Sequence, residues 1–274
     1  MYKMMFSDLD ETLLVNHHVP DFNREAIKKA QQQGLKFVPA TGRAFNMIQE
    51  IIEEIGTKDK EGEYSICYNG ALIIEHKDNH VLRFKNLSYE KTNYFYQLAK
   101  RYDVCVLIFT LDMCYILNPD PSEVERKTIQ KAPFKVIYED DISFLKDDHI
   151  AKILYERRDM KYLKQIEKEI AKDIEEQQVT ASYYSDRYLE INTLGVDKGE
   201  ALEWLANYLH IDIQDTIAIG DNYNDETMIK AAGLGVAVTC SNDDIKEIAD
   251  YVTKQDYDQG AVKEVIETFV LEDK

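Results

Sequence analysis

The chain has 274 residues, which suits one large domain or two smaller ones, and its 45% hydrophobic residues suffice for a buried core. Its formal net charge of -18 repels phosphate backbones and anionic lipid, so we expect no nucleic-acid or membrane partner. The segment MYKMMFSDLD lacks the apolar run of a signal peptide, and no later segment has the roughly 18 apolar residues of a membrane helix. We therefore expect a cytoplasmic protein.

The first third of the chain alternates between apolar runs and helical patterns. A strand is predicted over YKMMFSDL, a helix over residues 23–33 before Gly34, a strand over LKFVPA and a helix from about Phe45. Such alternation predicts a parallel sheet with crossover helices. Next, Asn69-Gly70 separates the runs YSICY and ALII, which predicts a hairpin with a two-residue turn.

From about residue 82 to 188 the pattern changes. Strand-like runs such as VCVLIFT and MCYILN are separated by helical segments, which predicts an antiparallel sheet with helices on one face. The strand-helix alternation then returns in DKGEALEWLANYL, TIAIGD, NDETMIKAAG and GVAV. The sequence therefore predicts a discontinuous α/β core that is interrupted by an α+β insert.

Acidic residues follow the first predicted strand, in FSDLDETLLV. In an extended chain residues i and i+2 point the same way, so Asp8 and Asp10 would face one pocket at the carboxyl end of that strand. Two like charges held close, out of full solvent, need a cation, a shared proton or both. A polar turn that caps the next helix explains the pair equally well.

A second acidic segment, GDNYND, follows the predicted strand TIAI. The carboxyl ends of parallel strands meet at one edge of a sheet, so Asp221 and Asp225 are expected beside Asp8 and Asp10. Taken alone, this segment is more typical of turn and helix N-cap chemistry. Four carboxylates in one crevice would need a hard divalent cation, for which Mg2+ is the usual choice.

Two further segments are candidates for binding an anion. In ATGR, at a strand end, Thr41 offers a hydroxyl, Gly42 permits close backbone approach, and a following helix start would expose N-H groups. A simple N-cap is the more usual role of such a threonine. Lys198 at a helix start opposes the helix dipole and is unfavourable unless it faces an anion, and the alternative is a solvated surface lysine.

Four segments, in chain order, resemble the ordered motifs of the haloacid dehalogenase superfamily of phosphotransferases: Asp8-x-Asp10-x-Thr12, Thr41-Gly42-Arg43, Lys198-Gly199 and Gly220-Asp221-Asn222-x-Asn224-Asp225. The segments NGALI and LEINTLGVDKGEAL resemble the Cof-like phosphatase subgroup. The resemblance covers nearly the whole chain. It implies a Rossmann-like parallel-sheet core of residues 1–81 and 189–274, with an α+β cap domain of residues 82–188 inserted into it.

The resemblance also implies roles for the acidic residues. Asp8 would be the nucleophile that forms an aspartyl-phosphate, and Asp10 would be the general acid and base. A Mg2+ ion would be held by Asp8, the backbone carbonyl of Asp10 and Asp221. Asp225 would orient the metal shell, directly or through water.

The phosphoryl oxygens would be held by Thr41, Gly42 and Lys198, and Asn224 would contact metal or phosphate. Glu11 matches a variable position of the family and is expected in solvent. The implied activity is a Mg2+-dependent phosphatase for small phosphorylated metabolites such as sugar phosphates, nucleotides or cofactors. A phosphomutase and a receiver-like or metabolite-sensing regulatory protein stay open as alternatives, as do the physiological substrate and the oligomeric state.

Overall fold

The computed structural model describes residues 1–129, 133–184 and 186–271. Its strands are, in chain order, Met4–Ser7 (β1), Lys36–Pro39 (β2), Tyr64–Cys67 (β3), Leu72–Glu75 (β4), His80–Phe84 (β5), Cys105–Thr110 (β6), Cys114–Leu117 (β7), Phe134–Ile137 (β8), Ile150–Glu156 (β9), Val179–Tyr184 (β10), Tyr188–Thr193 (β11), Thr216–Gly220 (β12), Leu234–Ala237 (β13) and Tyr251–Val252 (β14). Its α-helices are Asp21–Gln32 (α1), Gln49–Glu54 (α2), Tyr89–Ala99 (α3), Pro121–Ile129 (α4), Met160–Glu169 (α5), Ala171–Glu176 (α6), Lys198–Tyr208 (α7), Glu226–Ala231 (α8), Asp243–Ile248 (α9) and Ala261–Phe269 (α10). Within these residues, no helix combines the length and the apolar character that crossing a membrane requires.

The chain forms two compact units, one of residues 1–84 and 197–274 and the other of residues 85–196. The sequence-based boundaries, after residues 81 and 188, lie a few residues N-terminal to the boundaries in the structure. The second boundary differs because β11 begins at Tyr188 and pairs with both β9 and β10, so its residues belong to the inserted unit. The inserted unit therefore includes the whole of this last strand pair.

The first unit contains a five-stranded parallel sheet with the strand order β14-β13-β12-β1-β2. In β1, Ser7 pairs with Ile219 of β12 and with Pro39 of β2, so the carboxyl ends of these three strands lie at one edge. Apolar residues of α7, including Leu202 and Leu205, pack against this sheet in a buried cluster. The predicted Rossmann-like core is confirmed.

A three-stranded antiparallel sheet, β3-β4-β5, accompanies the parallel sheet. Cys67 pairs with Leu72, and the N-H of Ala71 donates to the carbonyl of Tyr68 at 3.2 Å, so Asn69 and Gly70 are the two central residues of the β3-β4 turn. The predicted two-residue turn is confirmed. Other N-H groups of this segment bond to the chain after β2: the N-H of Tyr68 donates to the carbonyl of Arg43, and the N-H of Asn69 donates to the carbonyl of Thr41.

The inserted unit contains a six-stranded sheet with the order β10-β11-β9-β6-β7-β8. All neighbouring strands are antiparallel except β7 and β8, which are parallel. Residues of α3 and α5 share one buried cluster with the sheet, which includes Phe95 and Leu163. Val124 of α4 packs in a different cluster with Leu107 and Leu154. The α+β insert is confirmed. The expectation that its helices lie on one face is wrong, because α4 packs against a different set of strand residues from α3 and α5. The sequence of α4 is polar and does not predict a helix.

His76 directly follows β4 of the three-stranded sheet and provides a test of that region of the first unit. Its side chain is buried, with one ring nitrogen 2.7 Å from Ser65 Oγ and the other 3.1 Å from the carbonyl of Thr57. Burial lowers the pKa of His76 from its ordinary 6.5 to about 4. Between these values the unfolded chain binds a proton that the folded protein does not, so stability is present above pH 6.5 and is lost as the pH falls toward 4.

We expect the difference in unfolding free energy between wild type and His76→Gln to shrink by about 2 kcal/mol from pH 7 to pH 4.5. Urea denaturation at the two pH values measures it. His80→Gln is the matched control, because the His80 side chain is exposed on β5. An equal pH response of the two variants would show that buried His76 does not set this dependence.

Candidate active site

Three of the four predicted acidic residues lie together in the structure. Carboxylate oxygens of Asp8, Asp221 and Asp225 lie within 4.8 Å of one another, and all three residues are buried. Asp8 directly follows β1 and Asp221 directly follows β12, the parallel neighbour of β1. Thr12 helps to position the Asp221 carboxylate, since the Thr12 hydroxyl donates to Asp221 Oδ1 at 2.9 Å.

Lys198 contacts two of the three carboxylates of this cluster. It is the first residue of α7, after Asp197, whose carboxylate caps the helix by accepting from the N-H of Glu200. The Lys198 side chain is fully buried, and Nζ lies 2.5 Å from Asp8 Oδ1 and 2.5 Å from Asp225 Oδ1. A surface lysine is therefore excluded, and the charge that opposes the helix dipole is compensated by two carboxylates.

Asp225 is held by the turn that carries it. Its Oδ2 accepts from the N-H groups of Asp221 and Asn222, at 3.1 and 3.2 Å. The segment thus has the capping chemistry that its sequence suggested and also contributes a buried carboxylate. Gly220 allows this geometry, because a Cβ there would lie only 2.4 Å from the Asp225 Cβ.

The cluster carries more negative than positive charge, and the pKa values reflect this. Burial, together with the charges of Asp225 and Asp10, raises the pKa of Asp8 to about 7 against the opposing effect of Lys198. Burial and the neighbouring carboxylates raise the pKa of Asp221 to about 8. Burial lowers the pKa of the Lys198 ammonium, but the two carboxylates outweigh burial and raise it above its ordinary value.

This donor set fits a hard divalent cation. The groups that converge are carboxylate oxygens, and one ammonium does not neutralise three of them. Asp225 already accepts hydrogen bonds on both of its oxygens, which favours an orienting role over direct ligation. Asp8 and Asp221 are then the carboxylates best placed to hold such an ion.

Asp10 lies outside the buried cluster. Its carboxylate is about half exposed and forms a two-point ion pair with Arg43, in which Nε donates to Oδ2 at 2.9 Å and a terminal nitrogen donates to Oδ1. β1 ends at Ser7, so the alternation of an extended strand does not continue to Asp10. The expected alternation of a strand, with Asp8 and Asp10 as i and i+2, is therefore wrong, although the charge of Asp10 still acts on Asp8.

The ATGR segment forms a turn after β2 and not the start of a helix. The first helical residues are Phe45–Met47, a short 3-10 turn whose preceding residue is Ala44. Thr41 is buried, and its Oγ1 accepts from the N-H of Arg43 at 3.1 Å. The predicted N-cap and the predicted helix start are thus both wrong here, because three residues separate Thr41 from the helical turn.

Asn224 is exposed and contacts Asn69, which lies in the turn between β3 and β4. Its Nδ2 donates to Asn69 Oδ1 at 3.3 Å. The Asn69 amide also lies against Gly42, where a Cβ would be 3.0 Å from Oδ1. The sequence signal for this residue was an Asn-Gly turn, which carries no information on what the turn contacts.

Comparison with known proteins agrees with this geometry. The model of the haloacid dehalogenase-like hydrolase family matches residues 5–266. The Bacillus subtilis protein YxeH, whose phosphatase name is provisional, is 31% identical over 97% of this chain and 98% of its own. The 5-amino-6-(5-phospho-D-ribitylamino)uracil phosphatase YcsE of the same organism is 29% identical over 96% of this chain and 94% of its own.

A solved structure extends the likeness to three dimensions. A haloacid dehalogenase-like hydrolase from Bacteroides thetaiotaomicron has a TM-score of 0.86 and 28% identity, covering 97% of this chain and 99% of its own. The resemblance noted in the motifs is thereby confirmed at the level of the family. The chain belongs to the haloacid dehalogenase-like hydrolases and is a phosphatase of their Cof-like subgroup.

Proposed function

We propose that the protein is a Mg2+-dependent phosphatase that hydrolyses small phosphorylated metabolites through an aspartyl-phosphate. The observation that carries the proposal is the buried cluster of Asp8, Asp221 and Asp225 around Lys198, at the carboxyl ends of adjacent parallel strands. Open parallel sheets bind their ligands at this edge. Sugar phosphates, nucleotides and phosphorylated cofactors are the candidate substrate classes.

Asp8 is the proposed nucleophile. A carboxylate oxygen attacks phosphorus, an oxygen-phosphorus bond forms, and the bond between phosphorus and the substrate oxygen breaks. The raised pKa of the isolated cluster means that Asp8 needs compensating charge to stay ionised. Mg2+ bound by Asp8, the Asp10 carbonyl and Asp221 would supply that charge and would neutralise the phosphoryl group.

Asp10 is the proposed proton donor and acceptor. It would give a proton to the departing alkoxide and then take one from the water that attacks the aspartyl-phosphate. Two observations support this role: the Asp10 carboxylate is about half exposed, and its pair with Arg43 fixes where the carboxylate lies. A buried carboxylate held by Lys198 could not do this as readily.

The phosphoryl oxygens are proposed to bind Thr41, Gly42, Lys198 and Asn224. Lys198 supplies the local positive charge that a strongly acidic protein otherwise lacks. Asp225 keeps the Lys198 ammonium in place and is proposed to orient the metal shell through its own turn.

The direct test is hydrolysis of an aryl phosphate by purified protein. We expect release of inorganic phosphate with Mg2+, loss of activity to background in EDTA, and recovery when Mg2+ is added in excess. Activity that persists in EDTA would refute the metal requirement. Circular dichroism in EDTA is the control that the chain stays folded.

Product analysis separates the alternative functions. A phosphomutase would return the phosphoryl group to an organic hydroxyl, and a regulatory receiver would keep its aspartyl-phosphate for minutes. We expect water to be the acceptor over many turnovers. A panel of sugar phosphates, nucleotides and phosphorylated cofactors, compared by kcat/KM, then identifies the substrate class.

A further inference from the structure

The turn between β3 and β4 has an unusual backbone. Three consecutive residues have positive φ: Tyr68 at 52°, Asn69 at 55° and Gly70 at 106°. Asparagine and glycine tolerate this left-handed region, whereas a buried tyrosine rarely adopts it. Strained backbone of this kind persists only where the surroundings hold it, and it is frequent at functional sites.

The surroundings here are two segments that carry proposed phosphate ligands. The N-H of Asn69 donates to the carbonyl of Thr41 at 2.9 Å, which ties the turn to the ATGR segment. Gly70 packs against the residue before Lys198, since a Cβ on Gly70 would lie 2.2 Å from the carbonyl oxygen of Asp197. The turn therefore contacts the Thr41 segment on one side and the start of α7 on the other.

These two contacts of the turn hold the Asn69 side chain near Asn224. Its Oδ1 accepts one hydrogen of the Asn224 amide across 155 positions of sequence. An amide nitrogen carries two hydrogens, so Asn224 Nδ2 keeps a second one for another acceptor. With one hydrogen donated to Asn69, the second hydrogen is the one that a ligand oxygen can accept.

We infer that Asn69 is a positioning residue of the phosphoryl site, acting through Asn224. It orients the Asn224 amide so that the remaining hydrogen is donated to a phosphoryl oxygen. This inference rests on the proposed phosphatase function, since Asn224 has a ligand to meet only if phosphate binds there. The competing explanation is that asparagine is present only because it tolerates positive φ.

The variant Asn69→Gly separates these explanations. Glycine adopts positive φ at least as readily, so the backbone of the turn is kept while the side-chain amide is removed. We expect its melting temperature to stay within about 2 °C of wild type, while the Kd for inorganic phosphate with Mg2+ rises about tenfold by calorimetry. The matched control is Asn79→Gly, at an exposed turn residue with φ of 52°, and should leave this Kd unchanged.

A double-mutant cycle tests the route through Asn224. If Asn69 acts by orienting that amide, then Asn224→Ala and the double variant Asn69→Gly/Asn224→Ala should have Kd values within about twofold of each other. The inference would be overturned if the fold-increases in Kd of the two single variants multiplied in the double variant. It would also be overturned if the Kd of Asn69→Gly equalled that of wild type, or if the weaker binding accompanied a lowered melting temperature. Failure of wild type to hydrolyse an aryl phosphate counts separately, against the proposed function.

Discussion

Asp8→Asn is expected to lower kcat for aryl phosphate hydrolysis at least about 10,000-fold while leaving the protein folded. An amide has the size of the carboxylate but is not a nucleophile toward phosphorus. In the metal-free protein the change removes one of the two carboxylates that contact the Lys198 ammonium, and Lys198 keeps Asp225 as its partner. It also removes one negative charge from the cluster of three carboxylates. The free energy of unfolding in EDTA at pH 8 should therefore not fall below that of wild type.

Glu11→Gln is the matched control, because it makes the same change of carboxylate to amide three residues away, on an exposed side chain. We expect it to change kcat less than about twofold. Steady-state kinetics with a stopped phosphate-release assay measures both variants. If Asp8→Asn retains full activity while it stays folded, Asp8 is not the nucleophile.

The part of this site that sequence could predict follows from strand ends. Asp8 and Asp221 each come directly after an apolar run, and the alternation of strands with helices indicates that those runs are strands of one parallel sheet. Parallel topology brings the two carboxylates to the same edge of that sheet, because both residues lie within one position of a strand end. That β1 and β12 are direct neighbours is a finding of the structure.

The remainder depends on tertiary contacts that no local pattern encodes. Lys198 looks like any lysine at a helix start, and its burial between Asp8 and Asp225 results from how α7 packs on the sheet. Asp10 lies beyond the end of β1, and strand ends are the least predictable feature of a strand. Its ion pair with Arg43 therefore could not be inferred from the i and i+2 spacing. The Asn69 contact joins two turns that are far apart in sequence.

Lys198→Met is expected to give the largest loss of stability among these variants. Methionine matches the length of the aliphatic stem but leaves the carboxylates of Asp8 and Asp225 buried without their ammonium partner. Removing one member of a buried ion pair typically costs about 3–5 kcal/mol. We expect a loss of that size in urea denaturation with EDTA at pH 8, together with loss of phosphatase activity.

The pH dependence identifies the cause of that loss. Asp8 and Asp221 have pKa values of about 7 and about 8 in the folded protein, above the ordinary value, so their contribution to stability falls as the pH rises through these values. Without Lys198 these carboxyls should hold their protons more strongly still, and the loss at pH 5.5 should be well below the loss at pH 8. Lys230→Met, which breaks the exposed pair with Glu226, should cost less than about 0.5 kcal/mol at both pH values. A Lys198→Met loss that is equal at both pH values would mean that packing, and not unpaired charge, is what Lys198 provides.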